Sequence, residues 1–196
     1  MLKKISLVSL ILLANLLADG QQAFEKGSFG ININKDDVEL EGRASVSFMT
    51  GSPVYSNFFV TGNFLNADEK IYGLGLSVEN SPTNFRNIVF NIGLKSIFSD
   101  YKGQDFIATP ITVGAKARLF LGSMPTTHIG AKFAYAPTPL AFKDAEAYKE
   151  YRIEADSSVI ENINIYAGYR NIDTEYTNGR TTTVDDSIYA GFKFVF

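Results

Sequence analysis

The chain has 196 residues, of which 45% are hydrophobic and 20% charged, and its formal net charge at neutral pH is −3. This length suits one domain, and the acidic balance argues against nucleic acid as a partner. The absence of cysteine excludes a disulfide framework, thiolate chemistry and a lipid anchor on cysteine.

The N-terminal segment has the plan of a cleavable secretory signal. Lys3 and Lys4 precede an apolar run that ends at the small residue Ala18. The run of about 13 residues is shorter than the ~20 that a helix needs to cross a bilayer. We therefore predict a Sec-type signal peptide over 1–18 and a mature domain over 19–196. Removing the two lysines lowers the basic count from 18 to 16, against 21 acidic residues.

The mature sequence alternates apolar and polar residues through ten segments that are separated by turn-rich breaks. No pattern with a period of 3.6 residues extends beyond two turns, so no helix is predicted. Alternation with a period of two is typical of strands. The sequence therefore predicts an all-β fold, with strands over 27–34, 38–48, 53–65, 70–79, 86–97, 109–121, 126–136, 148–157, 161–172 and 185–196.

Each predicted strand has one apolar and one polar face, because successive side chains of a strand point to opposite sides. In the segment 38–48, Val38 and Leu40 begin the apolar row, and Glu39 and Glu41 begin the polar row. Several apolar rows extend over about nine to eleven residues, the length with which a tilted strand crosses a membrane. This pattern predicts a single antiparallel up-and-down transmembrane β-barrel of about ten strands, with eight strands as the alternative.

The breaks between the predicted strands differ in length on the two sides of the barrel. The connections 98–108, 137–147 and 173–184 are long, whereas the turns near 122–125 and 158–160 are tight. Outer-membrane barrels have long loops outside the cell and short turns in the periplasm. The even number of strands then predicts that both chain termini lie in the periplasm.

The C-terminal segment resembles the recognition strand of outer-membrane proteins, because apolar residues occupy every second position up to the terminal Phe. This resemblance implies that periplasmic chaperones and the barrel-assembly machinery are partners during biogenesis. The alternative is the edge strand of a soluble sandwich, for which a row of exposed Phe side chains is unfavourable in water. The predicted assembly strand comprises Ile188, Ala190, Phe192, Phe194 and Phe196.

Three segments carry a resemblance to a known family. They are Ala134-Tyr135-Ala136-Pro137, the acidic and aromatic stretch 148–153, and Ile165-Tyr166-Ala167-Gly168-Tyr169-Arg170-Asn171-Ile172. In these segments the chain resembles the YfaZ family of small outer-membrane proteins. The resemblance implies a barrel and an outer-membrane location, and it carries no catalytic motif and no ligand.

The polar faces of the predicted strands contain many charges of both signs. A barrel of eight to ten strands has an interior little wider than its own side chains. We therefore expect opposite charges to pair across a largely closed lumen, with a narrow path for solutes as the alternative. The inward row contains eight bases and six acids: Arg43, Lys95, Lys116, Arg118, Lys132, Arg152, Arg170 and Lys193, and Glu39, Glu41, Glu79, Glu150, Glu154 and Asp156.

Catalytic and metal sites find little support in the sequence. His128 is the single histidine, so a zinc site lacks ligands. Ser123 lies near His128, but such a pair belongs to the periplasmic end of the strands. Asp185 and Asp186 follow the polar connection 173–184, where a cation site is the alternative to a solvated loop tip. The sequence predicts no enzyme, no cofactor and no metal.

Together these patterns predict a small protein of the bacterial outer membrane with a structural or surface-binding role. Outer-membrane lipids are its expected surroundings, and an unidentified surface ligand is an open alternative. Three other functions stay open: a narrow porin-like channel for small solutes, an outer-membrane enzyme, and a soluble periplasmic binding barrel. The soluble barrel requires charged rather than apolar side chains on the outside.

Overall fold

The computed structural model describes residues 27–46, 57–67, 69–85, 87–101, 104–119 and 125–196. The predicted signal peptide lies outside the described residues. Within these ranges, no helix has the length and apolar content for a membrane crossing. The strands are β1 Gly27–Ile33, β2 Val38–Ser45, β3 Asn57–Asn66, β4 Lys70–Asn80, β5 Ile88–Tyr101, β6 Gln104–Ala108, β7 Ile111–Leu119, β8 Thr127–Ala136, β9 Ala141–Lys143, β10 Ala145–Ile160, β11 Ile163–Tyr176 and β12 Thr181–Val195.

Ten of these strands form a closed antiparallel barrel. Its order is β1, β2, β3, β4, β5, β7, β8, β10, β11 and β12, and β12 returns to β1. The short strands β6 and β9 extend the sheet beside β5. The structure confirms the predicted all-β, ten-stranded antiparallel barrel, and eight strands is wrong. Closure leaves no barrel strand with an unpaired edge.

The first and last barrel strands close the sheet. Gly27 and Phe196 exchange two backbone hydrogen bonds, with N···O distances of 2.9 and 3.0 Å. Six residue pairs join β1 to β12. We call the end that holds Gly27 and Phe196 the terminus end, and the opposite end, which holds the β11–β12 turn, the hairpin end.

Two of the predicted long loops are largely strand. β5 continues to Tyr101 and pairs with β6, and the β11–β12 hairpin narrows to the turn 177–180. The loop prediction for 173–184 was wrong because it relied on polar composition. Threonine is β-branched and favours strands, and Ile172, Thr174 and Tyr176 are all buried.

The remaining connections differ from the predicted ones in detail. The connection 137–147 contains a short 3-10 turn over Thr138–Leu140 and the strand β9. The tight turn near 158–160 lies at 161–162, where Asn162 has a φ of 67°. Asparagine tolerates this left-handed conformation, which lets two residues connect β10 to β11. The residues 120–124, with most of the other tight turn, lie outside the described part of the chain.

The outside of the barrel is apolar along most of its strands. Leu74 is 64% exposed and Ile188 is 78% exposed, whereas the inward side chains between such residues are covered. This arrangement is the reverse of a water-soluble barrel, which keeps its apolar row inside. The outward row includes Val38, Leu40, Val60, Leu74, Leu76, Val113, Ile129, Phe133, Ile153, Ile165, Ile188, Phe192 and Phe194.

Candidate functional site in the barrel lumen

The inward side chains fall into three layers along the barrel. On β10, from the hairpin end to the terminus end, they are Tyr148, Glu150, Arg152, Glu154 and Asp156. The same order of an apolar residue followed by polar ones recurs on the neighbouring strands. From the hairpin end to the terminus end, the lumen contains a cluster of apolar side chains, which we call the apolar plug, and a network of charged side chains around Glu39, which we call the ion-paired layer. The open space beyond them is the lumenal cavity.

The apolar plug fills the lumen at the hairpin end. Phe106 of β6 lies with its ring centroid 5.9 Å from the centroids of both Tyr148 and Tyr176. The pairing of β6 with β9 holds Phe106 beside the barrel strands. The apolar plug comprises Leu65, Ile71, Ile97, Phe106, Ala108, Ala134, Ala136, Ala141, Ala145, Tyr148, Ile172, Tyr176 and Val184.

Sequence reasoning missed this layer. It assigned 98–108 to a surface loop, although Phe106 and Ala108 are almost fully buried. The signal was the continued apolar content of that segment, which includes Phe98, Phe106 and Ile107. A core that closes one end of a barrel depends on contacts between strands that are distant in the sequence. The alternation of apolar and polar residues within one strand does not predict such contacts.

Below the apolar plug, Glu39 is the centre of the ion-paired layer. Its carboxylate accepts hydrogen bonds from Arg152 at 2.7 and 2.9 Å, and it also pairs with Arg170. The amides of Asn32 and Asn63 donate to it at 2.7 and 3.1 Å. Glu39 and Arg170 are each only 1% exposed. Buried charges require such partners, because each loses its hydration.

Arg152 connects this centre to further acids. Its Nε donates to Glu150 at 2.6 Å, and its Nη1 pairs with Glu41. Glu150 also receives a hydrogen bond of 2.7 Å from the Tyr148 hydroxyl and an ion pair of 3.3 Å from Lys95. The Tyr148 hydroxyl therefore joins the apolar plug to the ion-paired layer.

Asp185 completes this layer on the other side of Arg170. Its carboxylate pairs with Arg170 Nε, and the side chain is buried. The expectation of a solvated loop tip at Asp185 was wrong, and so was its alternative, a surface cation site. A register irregularity between Ile172 and Asp173 lies opposite this part of β12, where Val184 and Asp185 are both buried.

Charged pairs continue toward the terminus end. Arg43 donates two hydrogen bonds to the Glu79 carboxylate in a bidentate ion pair, with N···O distances of 2.7 and 3.0 Å. The guanidinium carbon of Arg43 lies 3.9 Å from the ring centroid of Phe59. Asp156 pairs with Lys116 at 2.6 Å. Lys193 contacts Glu154 at 3.2 Å. Each of these inward acids therefore has a cationic partner.

Two bases of the predicted set differ from the others. Arg118 is exposed near the terminus end and donates to Thr126 Oγ1 at 3.5 Å. Lys132 projects into the lumen and has no ion pair or hydrogen bond of its side chain within the described part of the chain. The other twelve bases and acids of the predicted lumen set take part in ion pairs.

The lumenal cavity, with a volume of about 530 Å³, lies below the apolar plug and reaches the terminus end. Gly114 and Gly130 form part of its wall, and they are the cross-strand neighbours of Lys132 and Lys116. The absence of side chains at these glycines leaves room beside both ammonium groups. Sequence reasoning identified the bases but not the space around them.

Tyrosine rings fill the lumen on the opposite wall. Tyr166 and Tyr189 are buried, with ring centroids 6.3 Å apart. A Cβ added at Gly168 would lie 2.7 Å from the Tyr189 hydroxyl oxygen, and one at Gly191 would lie 2.9 Å from the Tyr166 ring. Glycine at both positions therefore leaves room for these rings beside the barrel wall.

A catalytic arrangement is not visible among these groups. His128 Nδ1 lies 2.9 Å from Asp156 Oδ1, while Ser123 lies outside the described residues. The described ranges also contain no grouping of three or more His, Asp or Glu side chains suited to a metal ion.

The predicted assembly strand presents Ile188, Phe192 and Phe194 on the outside of β12.

The comparison with known protein families agrees with the resemblance in the sequence. A family model described as "YfaZ precursor" matches residues 2–196. No curated protein matches the chain. A solved chain described under "Unveiling the Mechanism Behind the in-meso Crystallization of Membrane Proteins" has 11% sequence identity and a TM-score of 0.38. The match covers 87% of this chain and 83% of the solved one.

Proposed function

Because the chain belongs to the YfaZ family, we propose that it is a small protein of the bacterial outer membrane with a lumen that does not conduct. The observation that carries this proposal is the apolar plug, which occupies the lumen at the hairpin end. The role is structural or surface-binding, and it includes no enzymatic activity. The exposed turns of the hairpin end are the surface available for binding.

The membrane location is supported by the outer surface of the barrel. A closed sheet pairs its backbone groups internally, which the hydrocarbon region requires. The outward side chains of β4, Tyr72, Leu74 and Leu76, are each more than half exposed. Such a surface is unfavourable in water and favourable against lipid.

The orientation follows from the even number of strands and from export. The description of the family as a precursor agrees with the predicted signal over 1–18. We place the terminus end in the periplasm and the hairpin end outside the cell. Periplasmic chaperones and the barrel-assembly machinery are then the partners of the exposed apolar row on β12 before closure.

Planar-bilayer recording tests the closed lumen. The purified barrel should insert without a steady conductance, because Phe106, Tyr148 and Tyr176 block the hairpin end. A variant with all three replaced by Ala should conduct. Heat-modifiable migration in gels verifies that both proteins are folded. Steady conductance by the unaltered barrel, comparable to that of general porins, would overturn the proposal in favour of a channel.

Envelope fractionation tests the membrane location. The mature protein should stay with outer membranes after osmotic shock and high salt, and it should require detergent for release. The apolar outward row is the reason, since no described segment of the chain covers it. Release by osmotic shock alone would support the soluble periplasmic barrel instead.

A further inference from the structure

The lumenal cavity is more than a remainder of unfilled space. We propose that it binds a small solute carrying a phosphate or carboxylate group, with Lys132 as the anchoring cation. This inference rests on the proposed orientation, in which the solute enters from the periplasm. It goes beyond the proposed structural role, because it assigns a class of ligand to the lumenal cavity.

Charge is the first argument for an anionic ligand. The cavity is lined by seven Lys and Arg residues and five acids, which leaves an excess of two positive charges with His128 neutral. The lining charges are Arg43, Lys95, Lys116, Arg118, Lys132, Arg152 and Lys193, and Glu41, Glu79, Glu150, Glu154 and Asp156.

The pairing of those acids is the second argument. Glu150 is held by Lys95 and Arg152, and Glu41 by Arg152. Asp156 is held by Lys116. All five lining acids have a cationic partner, whereas Lys132 has none among the described residues. The Lys132 side chain is exposed within the cavity, so an anion that enters can reach and neutralise its ammonium group.

Position is the third argument. The inward residues of β8, from the hairpin end, are Ala136, Ala134, Lys132, Gly130 and His128. The first two belong to the apolar plug. Lys132 is therefore the first charged side chain of this strand below the plug, at the blind end of the cavity. A solute that enters at the terminus end stops there and cannot pass through.

Size limits the ligand. A cavity of about 530 Å³ falls within the usual range of pockets for small molecules, roughly 300–1,000 Å³. The cluster of bases near the terminus end, including Lys116 and Arg118, would also raise the local concentration of anions. The cavity therefore fits a small anionic metabolite and not a polymer.

Calorimetric titration of the purified barrel in detergent tests the site. Inorganic phosphate and succinate serve as separate probes, with ionic strength held constant by sodium chloride. We expect saturable binding of one anion per barrel for at least one probe. Lys132→Met should weaken that binding by about tenfold or more, since it removes a charged hydrogen-bond donor. Lys149→Met removes the same charge from an exposed position and should bind like the unaltered protein.

A second measurement needs no variant. The bound probe should protect Lys132, but not Lys149, from reductive methylation as read by mass spectrometry. Absence of saturable binding by both probes, or equal binding by Lys132→Met, would overturn the site. A response to one probe alone identifies the phosphate or the carboxylate as the recognised group. A conducting barrel that binds anions would overturn the closed lumen and leave this site intact.

Discussion

Replacing Arg152 with Met should destabilise the barrel by about 3–5 kcal/mol, the usual effect of removing one partner of a buried ion pair. Arg152 contacts three carboxylates, those of Glu39, Glu41 and Glu150. Glu39 keeps Arg170, and Glu150 keeps Lys95. In the variant, Glu39 and Glu150 each lose one of two cationic partners. Glu41 is left without an ion pair in the described part of the chain.

The exposure of Glu41 places the expected value within that range. Its side chain is 28% exposed, so water in the lumenal cavity compensates part of the lost pairing. We therefore expect a value near the lower limit, about 3 kcal/mol. Adding Glu41→Gln to Arg152→Met should recover about 1 kcal/mol, since it removes the unpaired charge.

Urea unfolding in lipid vesicles, followed by far-UV circular dichroism, measures these values. Fluorescence is less suitable because the chain lacks tryptophan. Arg180→Met at the exposed hairpin turn is the control, with an expected change within about 0.5 kcal/mol. If Arg152→Met has the same stability as that control, the ion-paired layer does not stabilise the barrel as argued. If the double variant Arg152→Met, Glu41→Gln is no more stable than Arg152→Met alone, the unpaired charge of Glu41 is not a cause of the destabilisation.

Three further predictions concern the wall of the barrel. Phe194→Asp should reduce the amount of assembled outer-membrane protein, measured by heat-modifiable migration, more than Val195→Asp does, because Phe194 faces outward; equal losses would contradict the assigned faces. Ala167→Arg on the outward face should cost about 2–4 kcal/mol in urea unfolding near mid-membrane, and a neutral result would argue against lipid contact. Gly168→Ala should cost about 1–3 kcal/mol through overpacking against the Ile153 carbonyl oxygen and the Tyr189 ring. Gly42→Ala, where a Cβ meets nothing within 4 Å, serves as its control and should be close to neutral.

The barrel itself was predictable because its signal is local. Alternation along each strand reports which side chains face outward, and the outward positions of Leu40, Val113 and Ile188 follow it directly. The strand number also followed, since every turn interrupts the alternation. The inward location of bases such as Arg152 and Lys193 is a consequence of the same period of two.

The partners of those bases were not predictable, because they depend on tilt and register between distant strands. Arg152 meets Glu39, which is 113 positions away in the sequence. Asp185 follows a threonine-rich segment that composition assigns to a loop, and only the irregular pairing of β11 and β12 accompanies its burial. The apolar plug likewise depends on β6, a five-residue strand with no distinct periodic signal.

The junction between β1 and β12 has a consequence for biogenesis. It has six residue pairs, against fourteen between β10 and β11, and it joins the two ends of the mature strand order. β12 is the last barrel strand in chain order, so the cylinder cannot close until β12 is available to pair with β1. Stalled or shortened chains would keep two open edges. In the proposed export route, commitment to the folded state is therefore delayed until β12 has been exported, which gives quality control a clear distinction between finished and unfinished molecules.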